Sequence, residues 1–339
     1  MKILIASGIY PPDIGGTAQY ARNLYETWKG QGHQVKVAAY RWERAFPAFL
    51  RHILFFLKVI RKGWHADMIV SLDIWSAGVP TAYACAFMRK PYLIRLGGDF
   101  LWETYTERTG DMVLLSDFYQ TSLGKLSRKE RAIHRLGGRV MREASHVVFS
   151  TEWQRKIFQN AYGLLPGQTA IVEDFCGERE VFVEPENRMF VAGTRPLKWK
   201  NTEFLKECFA EAQEVLQKLN IESVELDCGK AVYDSFLEKI RRSYAVVLVS
   251  LGDASPNMIW DAVRCGTPFI VTRENGIMHH IGDAALCVDP KDKKSLVDQI
   301  VWLANPQNRA QQAEKVKKIT FSHSWKQIAD EIVAIWKKS

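Results

Sequence analysis

The sequence predicts an α/β protein made of two consecutive doubly wound, Rossmann-like domains, and three observations predict it. Short apolar runs alternate with amphipathic stretches through the first half, and the same alternation restarts at residue 189. At 339 residues the chain is also long for one core, so two domains of similar size are expected. The strands are apolar throughout, which marks parallel sheets covered on both faces.

In the first series "KILIAS" and "QVKVAAY" flank a helix expected from Gly16 to Gly30. "DMIVSLDI" follows, then a helix near "GVPTAYACAFMR", the strand "PYLIRLG", and "SHVVFS" with helices on either side. The second series opens on "MFVAGT" and runs through helix "NTEFLKECFAEAQEVLQKL", strand "SVELDCG" and helix "VYDSFLEKIRRS". Strand "AVVLVSLG", helix "NMIWDAVRCG" and strand "PFIVTR" complete it. Between the series, "CGEREVFVEPENR" is charged and turn-rich and reads as a linker. The expected organisation is a first domain over 1–175, a linker over 176–188, a second domain over 189–320 and a tail over 321–339. Ligands of such sheets bind beyond the carboxyl ends of the strands, so a cleft faced by both domains is the expected centre of function.

Composition bounds the partners. Hydrophobic content of 47% and charged content of 25% are those of an ordinary globular protein. Cys85, Cys176, Cys208, Cys228, Cys265 and Cys287 form no C-x-x-C pair, which reads as reduced, mostly buried thiols and neither a zinc site nor a disulfide framework. The opening "MKILIASGIY" suits a buried strand better than a signal peptide, and no window reaches 18 apolar residues, so a cytoplasmic protein without a spanning helix is expected. A net charge of +8 points to an anionic partner: nucleic acid, an acidic membrane face or a phosphorylated substrate. The basic residues follow no nucleic-acid-binding module, and no nucleic-acid partner is expected.

Three stretches carry candidate chemistry. In "YPPDIGGTAQYARNL", Gly15 and Gly16 let backbone approach a ligand, and the helix start behind them favours an anion. "AGTRPLKWKN" places Arg195 and Lys200 in a strand-to-helix loop, where both can meet phosphate. In "SLGDASPNMIWDAVRCGTPFIV", Ser255 is the expected N-cap and Pro256 the first helical residue, so the helix end offers its amides to a phosphate. Asp253 lies just before that cap and Asp261 almost two turns into the helix. Carboxylates flanking a phosphate site suit sugar hydroxyls on one side and ribose hydroxyls on the other. Singly, each feature also has an ordinary reading: a turn without ligand, a solvated loop, a capping carboxylate at Asp253, a solvent-facing helix residue at Asp261.

Together these residues resemble family 4 of the glycosyltransferases, whose fold is GT-B. The family signature is a glutamate, seven residues, a second glutamate, then A-M-A-x-G-x-P. Here Asp253, seven residues and Asp261 run into Ala262-Val263-Arg264-Cys265-Gly266-Thr267-Pro268. "P-P-x-x-G-G", "GQGHQVKV", the Arg195–Lys200 spacing, "EASHVVFSTEWQRKIF" and a last helix after "FSHSW" extend the likeness over nearly the whole chain.

The resemblance implies two Rossmann-like domains facing across a cleft, with a C-terminal helix crossing back to the first. It implies a retaining transfer from a nucleoside-diphosphate sugar to an acceptor hydroxyl, with no metal ion and no cofactor. Asp261 would hold the ribose and Asp253 a sugar hydroxyl. Arg195 and Lys200 would neutralise the leaving diphosphate. Gly15, Gly16 and the amides following Ser255, at Asn257 and Met258, would bind the donor's phosphates. A nucleotide-sugar 2-epimerase and a non-catalytic subunit are the alternatives on the same fold.

Two departures stand out. Both signature glutamates are aspartates, each one methylene shorter, and a lost hydrogen bond to a charged group costs about 1.5–3 kcal/mol. Where many members have a histidine, "RLGGDFLWE" offers Asp99, which is taken as the candidate contact to the acceptor or the transferred sugar. Finally, "RWERAFPAFLRHILFFLKVIRKGWH" mixes cations with large apolar residues. It is either a core-facing helix with a solvated basic side or a helix lying on an anionic bilayer. With a glycan or lipid-linked acceptor, salt-sensitive peripheral association at the inner membrane face is expected, through Arg51, Lys58, Arg61 and Lys62.

Overall fold

A computed structural model describes residues 1–13, 15–193, 196–229 and 233–338. The chain forms two compact units, one of residues 1–104, 122–174 and 324–339, the other of 105–121 and 175–323.

The first unit is built on a six-stranded sheet of β1 (Lys2–Ser7), β2 (Gln34–Ala39), β3 (Met68–Ser71), β4 (Leu93–Arg95), β5 (His146–Phe149) and β6 (Thr169–Ile171). The strand order is β2-β1-β3-β4-β5-β6 and every pair is parallel. Its helices are α1 (Gly16–Gly30), α2 (Ala48–Gly63), α3 (Gly78–Met88) and the first half of α4 (Phe100–Thr109), whose residues from 105 on group with the other unit; then, after α5 (Leu115–Thr121) of that unit, come α6 (Arg128–Glu143) and α7 (Glu152–Tyr162). Ile3, Leu4 and Ile5 of β1 are fully buried, as the apolar run requires.

The second unit has a five-stranded parallel sheet of β7 (Met189–Ala192), β8 (Glu225–Asp227), β9 (Ala245–Leu248), β10 (Phe269–Thr272) and β11 (Leu286–Val288), in the order β11-β10-β9-β7-β8. Between and after these strands lie α8 (Thr202–Lys218), α9 (Tyr233–Arg242), α10 (Asn257–Cys265), α11 (Met278–Ile281), α12 (Lys293–Ala304) and α13 (Pro306–Lys317). Phe190, Ala245 and Val247 pack with Leu205, Phe209 and Ile300 on one face. Val191, Val246 and Leu248 alternate to the other, against Ile259, Trp260 and Val263. Both faces are therefore covered, which is why these strands carry no polar alternation.

The last helix, α14 (Trp325–Trp336), belongs to the first unit. A capping box of Ser324 and Gln327 starts it, and Ile328, Ala329 and Ile332 are buried. The Trp28 indole of α1 donates to the Ala329 carbonyl at 3.2 Å, and Trp325 packs edge-on against Tyr20.

Three features differ from the sequence reading. Strands β6 and β11, three residues each, are too short to stand out as apolar runs. The stretch 176–188 does not hang free: Arg179 donates to the carbonyls of Val263, Val316, Lys317 and Ile319, and Glu180 N to Arg264 O. Residues 105–121 group with the second unit, because Leu115 N donates to Leu251 O at 3.0 Å and the Glu107 carboxylate accepts from Lys198 N at 2.6 Å.

The 41–65 stretch also departs from its core-facing reading. Phe55 and Val59 of α2 are buried, but Phe49 and Leu57 are 79% and 53% exposed. Lys58 pairs with the buried Glu43 and donates to Ala39 O, and Lys62 donates to Val37 O at 2.5 Å. The solvated face is thus largely apolar, and two of the expected surface cations are bound to the protein itself.

Candidate functional site

In the second unit the chain leaves β7 toward β8 on one side and returns to β9 on the other. The sheet order therefore reverses between β7 and β9, and the loops after these two strands flank the crevice where open α/β sheets bind ligands. The loop after β7 ends in a short turn, Lys198–Lys200, and the loop after β9 carries Asp253.

These loops meet. Lys200 Nζ lies 2.8 Å from Asp253 Oδ2, with 15% and 18% of the two side chains exposed. The ammonium also sits 4.2 Å from the ring centroid of the buried Trp199. The backbone on both sides is pinned: Leu251 N donates to Trp199 O at 2.9 Å, and Asn201, in the left-handed region at φ 59°, donates its side-chain amide to Val249 O and Pro290 O. On the other flank Asp253 N donates to Glu274 O, and burial raises the pKa of the Glu274 carboxyl above its ordinary value.

Helix α10 begins four residues after Asp253. Its N-cap position is Pro256, and no side chain caps it. This corrects the expected role of Ser255, whose hydroxyl is turned inward to accept the Trp260 indole N–H at 3.2 Å. The amides of Asn257 and Met258 have no acceptor among the described residues, so the helix start keeps its capacity for an anion.

Asp261 is buried, not solvent-facing, with 4% of the residue exposed. Its Oδ1 accepts from the Tyr233 hydroxyl at 3.0 Å and from Arg264 Nη1 at 3.3 Å. Arg264 in turn donates to Glu180 Oε1 at 2.5 Å and to Glu178 O. Burial pushes the Asp261 carboxyl up to about 6, although Tyr233 and Arg264 both favour its ionised form.

The remaining candidates are placed separately. Arg195 lies outside the described residues. Gly15 and Gly16 open α1 in the first unit, again without a side-chain cap. Gly15 sits at φ 157°, ψ 156°, where a Cβ would also come within 3.0 Å of Ile9 Cδ1, so this backbone requires glycine. Asp99, also in the first unit, is buried with its Oδ1 accepting the amides of Leu101 and Trp102 at the start of α4. That arrangement is a helix cap, which accounts for its burial. Tyr233, Arg264 and Glu180 were not singled out from the sequence. Arg264 stands three residues after Asp261, a helical spacing that puts both on one face, and was the available signal.

Two all-parallel α/β units and this loop geometry define the class of fold, which is GT-B. More particularly, residues 184–306, within the second unit, match the family model described as glycosyl transferases group 1. No curated protein matches the chain in sequence. Among solved structures, Anabaena HepE in complex with UDP-glucose is similar at 16% identity and a TM-score of 0.69, covering 100% of both chains. Sucrose-phosphate synthase from Thermosynechococcus elongatus is similar at 14% identity and a TM-score of 0.70, covering 99% of this chain and 98% of that one. WaaG, a glycosyltransferase involved in lipopolysaccharide biosynthesis, is similar at 12% identity and a TM-score of 0.65, covering 99% of each.

Proposed function

We propose that this chain is a retaining glycosyltransferase that moves a sugar from a nucleoside-diphosphate sugar to a hydroxyl of a glycan or lipid-linked acceptor. The observation that carries the donor half is the Lys200–Asp253 pair at the sheet reversal, next to a helix start with open amides and a carboxylate buried about one turn into that helix. An ammonium has three protons to donate, and among the described residues Lys200 gives one to Asp253. The others, with Arg195 and the amides of Asn257 and Met258, would meet the diphosphate as negative charge grows on it. Asp253 would accept from a sugar hydroxyl and Asp261 from the ribose. Gly15 and Gly16, at the uncapped start of α1, stay candidates for backbone contact with an anion. The reading routes no step through a metal or a cofactor. Asp99, whose Oδ1 caps α4, stays the candidate contact to the acceptor or the transferred sugar.

The acceptor half rests on a surface. Nine of the fifteen large apolar side chains left exposed among the described residues lie on or beside α2 and α3, among them Trp42, Phe49, Leu57, Trp64 and Phe87. Exposed aromatic and aliphatic residues next to Arg51 and Arg61, on a chain of net charge +8, suit the interface of an anionic bilayer. Among the described residues no helix is long and apolar enough to cross a membrane. The reading is therefore peripheral association at a lipid surface that carries the acceptor.

HepE has been crystallised with UDP and with UDP-glucose, so uridine donors are the first to try. Nucleotide-sugars are screened for thermal stabilisation of the chain, and the stabilising one is assayed for transfer with the product anomer read by NMR. Transfer with retained configuration is expected. An inverted product would overturn the retaining assignment, and stabilisation by no nucleotide-sugar would overturn the donor site.

A further inference from the structure

Tyr233 is the first residue of α9 and leaves 41% of its surface exposed while its hydroxyl reaches inward to Asp261. An aromatic ring held at its polar end and open along its side is not accounted for by core packing. Both side-chain contacts to Asp261, from Tyr233 and from Arg264, fall on Oδ1, and among the described residues none falls on Oδ2. The carboxylate is thus oriented from one side, with its second oxygen left for a ligand. This matters because an aspartate is short: with little reach of its own, it depends on neighbours to aim it.

We infer that Tyr233 is a donor-binding residue, whose hydroxyl aims Asp261 at the ribose and whose exposed ring forms the wall on which the nucleoside lies. This rests on the reading of Asp261 as the ribose acceptor. Base and sugar faces stack well on such rings, and removing one aromatic platform typically weakens binding by roughly tenfold or more. The hydroxyl has a separate effect. Asp261 is faced by Tyr233 from α9, by Arg264 and Cys265 of its own helix, and by Glu180 and Cys176 of the stretch before β7. Burial raises its pKa and Glu180 adds to the rise, whereas Tyr233 and Arg264 lower it. Losing the Tyr233 hydroxyl must therefore raise it further, so that the acceptor oxygen is protonated at a higher pH.

The test is calorimetric titration of the intact chain with UDP, GDP and inorganic pyrophosphate between pH 5 and pH 8, for wild type, Tyr233→Phe, Tyr233→Ala and Asp261→Ala. Tyr233→Phe is expected to weaken the preferred nucleotide a few-fold and to move the acid limb of binding to higher pH. Tyr233→Ala is expected to weaken the nucleotide by roughly tenfold or more and to leave pyrophosphate unchanged. Donor KM should rise in both with little change in kcat. If Asp261→Ala loses nucleotide affinity while both Tyr233 variants keep wild-type affinity and pH profile, the inference is overturned. Equal loss of pyrophosphate and nucleotide in Tyr233→Ala would also overturn it, marking a structural role. Wild-type affinity in Asp261→Ala, or binding of neither nucleotide by the wild type, would instead bring down the donor reading beneath it.

Discussion

Two of the lysine–carboxylate pairs among the described residues are largely buried and differ in what they leave over. In the first unit, Lys58 pairs with Glu43, which is fully buried; the ammonium also donates to Ala39 O, and the carboxylate also accepts from Arg41 N. In the second, Lys200 pairs with Asp253, both side chains keep some exposure, and among the described residues the ammonium has no other acceptor. The first pair is closed and holds a turn against α2. The second retains spare donors and faces a crevice. Burial alone does not separate the two pairs; unused hydrogen-bonding capacity at a sheet reversal is what marks the second as the proposed donor contact.

That comparison can be broken at either pair. Lys58→Ala strands the buried Glu43 carboxylate, and removing one partner of a buried pair typically costs about 3–5 kcal/mol. Urea titration of the intact chain should show a loss of that order, with donor affinity unchanged in the remaining folded protein. Lys200→Ala should behave in the opposite way. Its barrier to transfer should rise by about 2–4 kcal/mol, the range for losing one charge-stabilising contact. Stability should change by no more than about 1 kcal/mol, as expected for a pair with access to water. A Lys200→Ala chain that unfolds early yet turns over normally would erase the distinction.

Asp261 sharpens the comparison through pH. Its folded pKa is raised to about 6 from an ordinary 3.8, so burial of the ionised form opposes folding above pH 6 and has no effect once both states are protonated below pH 3.8. Asp261→Asn should therefore stabilise the chain by about 1–3 kcal/mol at pH 8 and leave it unchanged at pH 3. The same substitution should weaken nucleotide binding, and wild-type binding should fall as pH drops below 6. A variant destabilised at pH 8 would show that the carboxylate is structural.

The smallest expected effect concerns α2. Phe49→Ser with Leu57→Ser removes two exposed apolar side chains and should abolish co-sedimentation with anionic vesicles at low salt. Lys58→Ala is not expected to act through the bilayer, since that cation is bound within the protein. Wild type failing to bind the vesicles would end the membrane reading and leave the donor site as it is.

What was legible in the sequence follows from the range of the interactions. Parallel strands buried on both faces announce themselves locally, and the Asp253–Asp261 spacing lies within one strand–loop–helix segment. The partners of Asp261 do not: Tyr233 is 28 residues away, and Glu180 reaches Arg264 across 84. Ser255 carries the usual signal of a cap, but the Trp260 indole competes for its oxygen and wins. In α2, apolar residues occupy both the buried positions 55 and 59 and the exposed positions 49 and 57, so periodicity shows an amphipathic helix without showing which side packs. Its lysines, four residues apart at 58 and 62, turn to the carbonyls of β2, which no local pattern records.

The claim at the centre is that Asp253 and Asp261 divide the donor between them, one holding the sugar and the other the ribose. Calorimetry of Asp253→Ala and Asp261→Ala with the free nucleoside diphosphate and with the nucleotide-sugar tests it most directly. The account predicts that Asp261→Ala weakens both ligands, whereas Asp253→Ala spares the nucleoside diphosphate and weakens only the sugar-bearing donor. Equal losses for both ligands in both variants would contradict it.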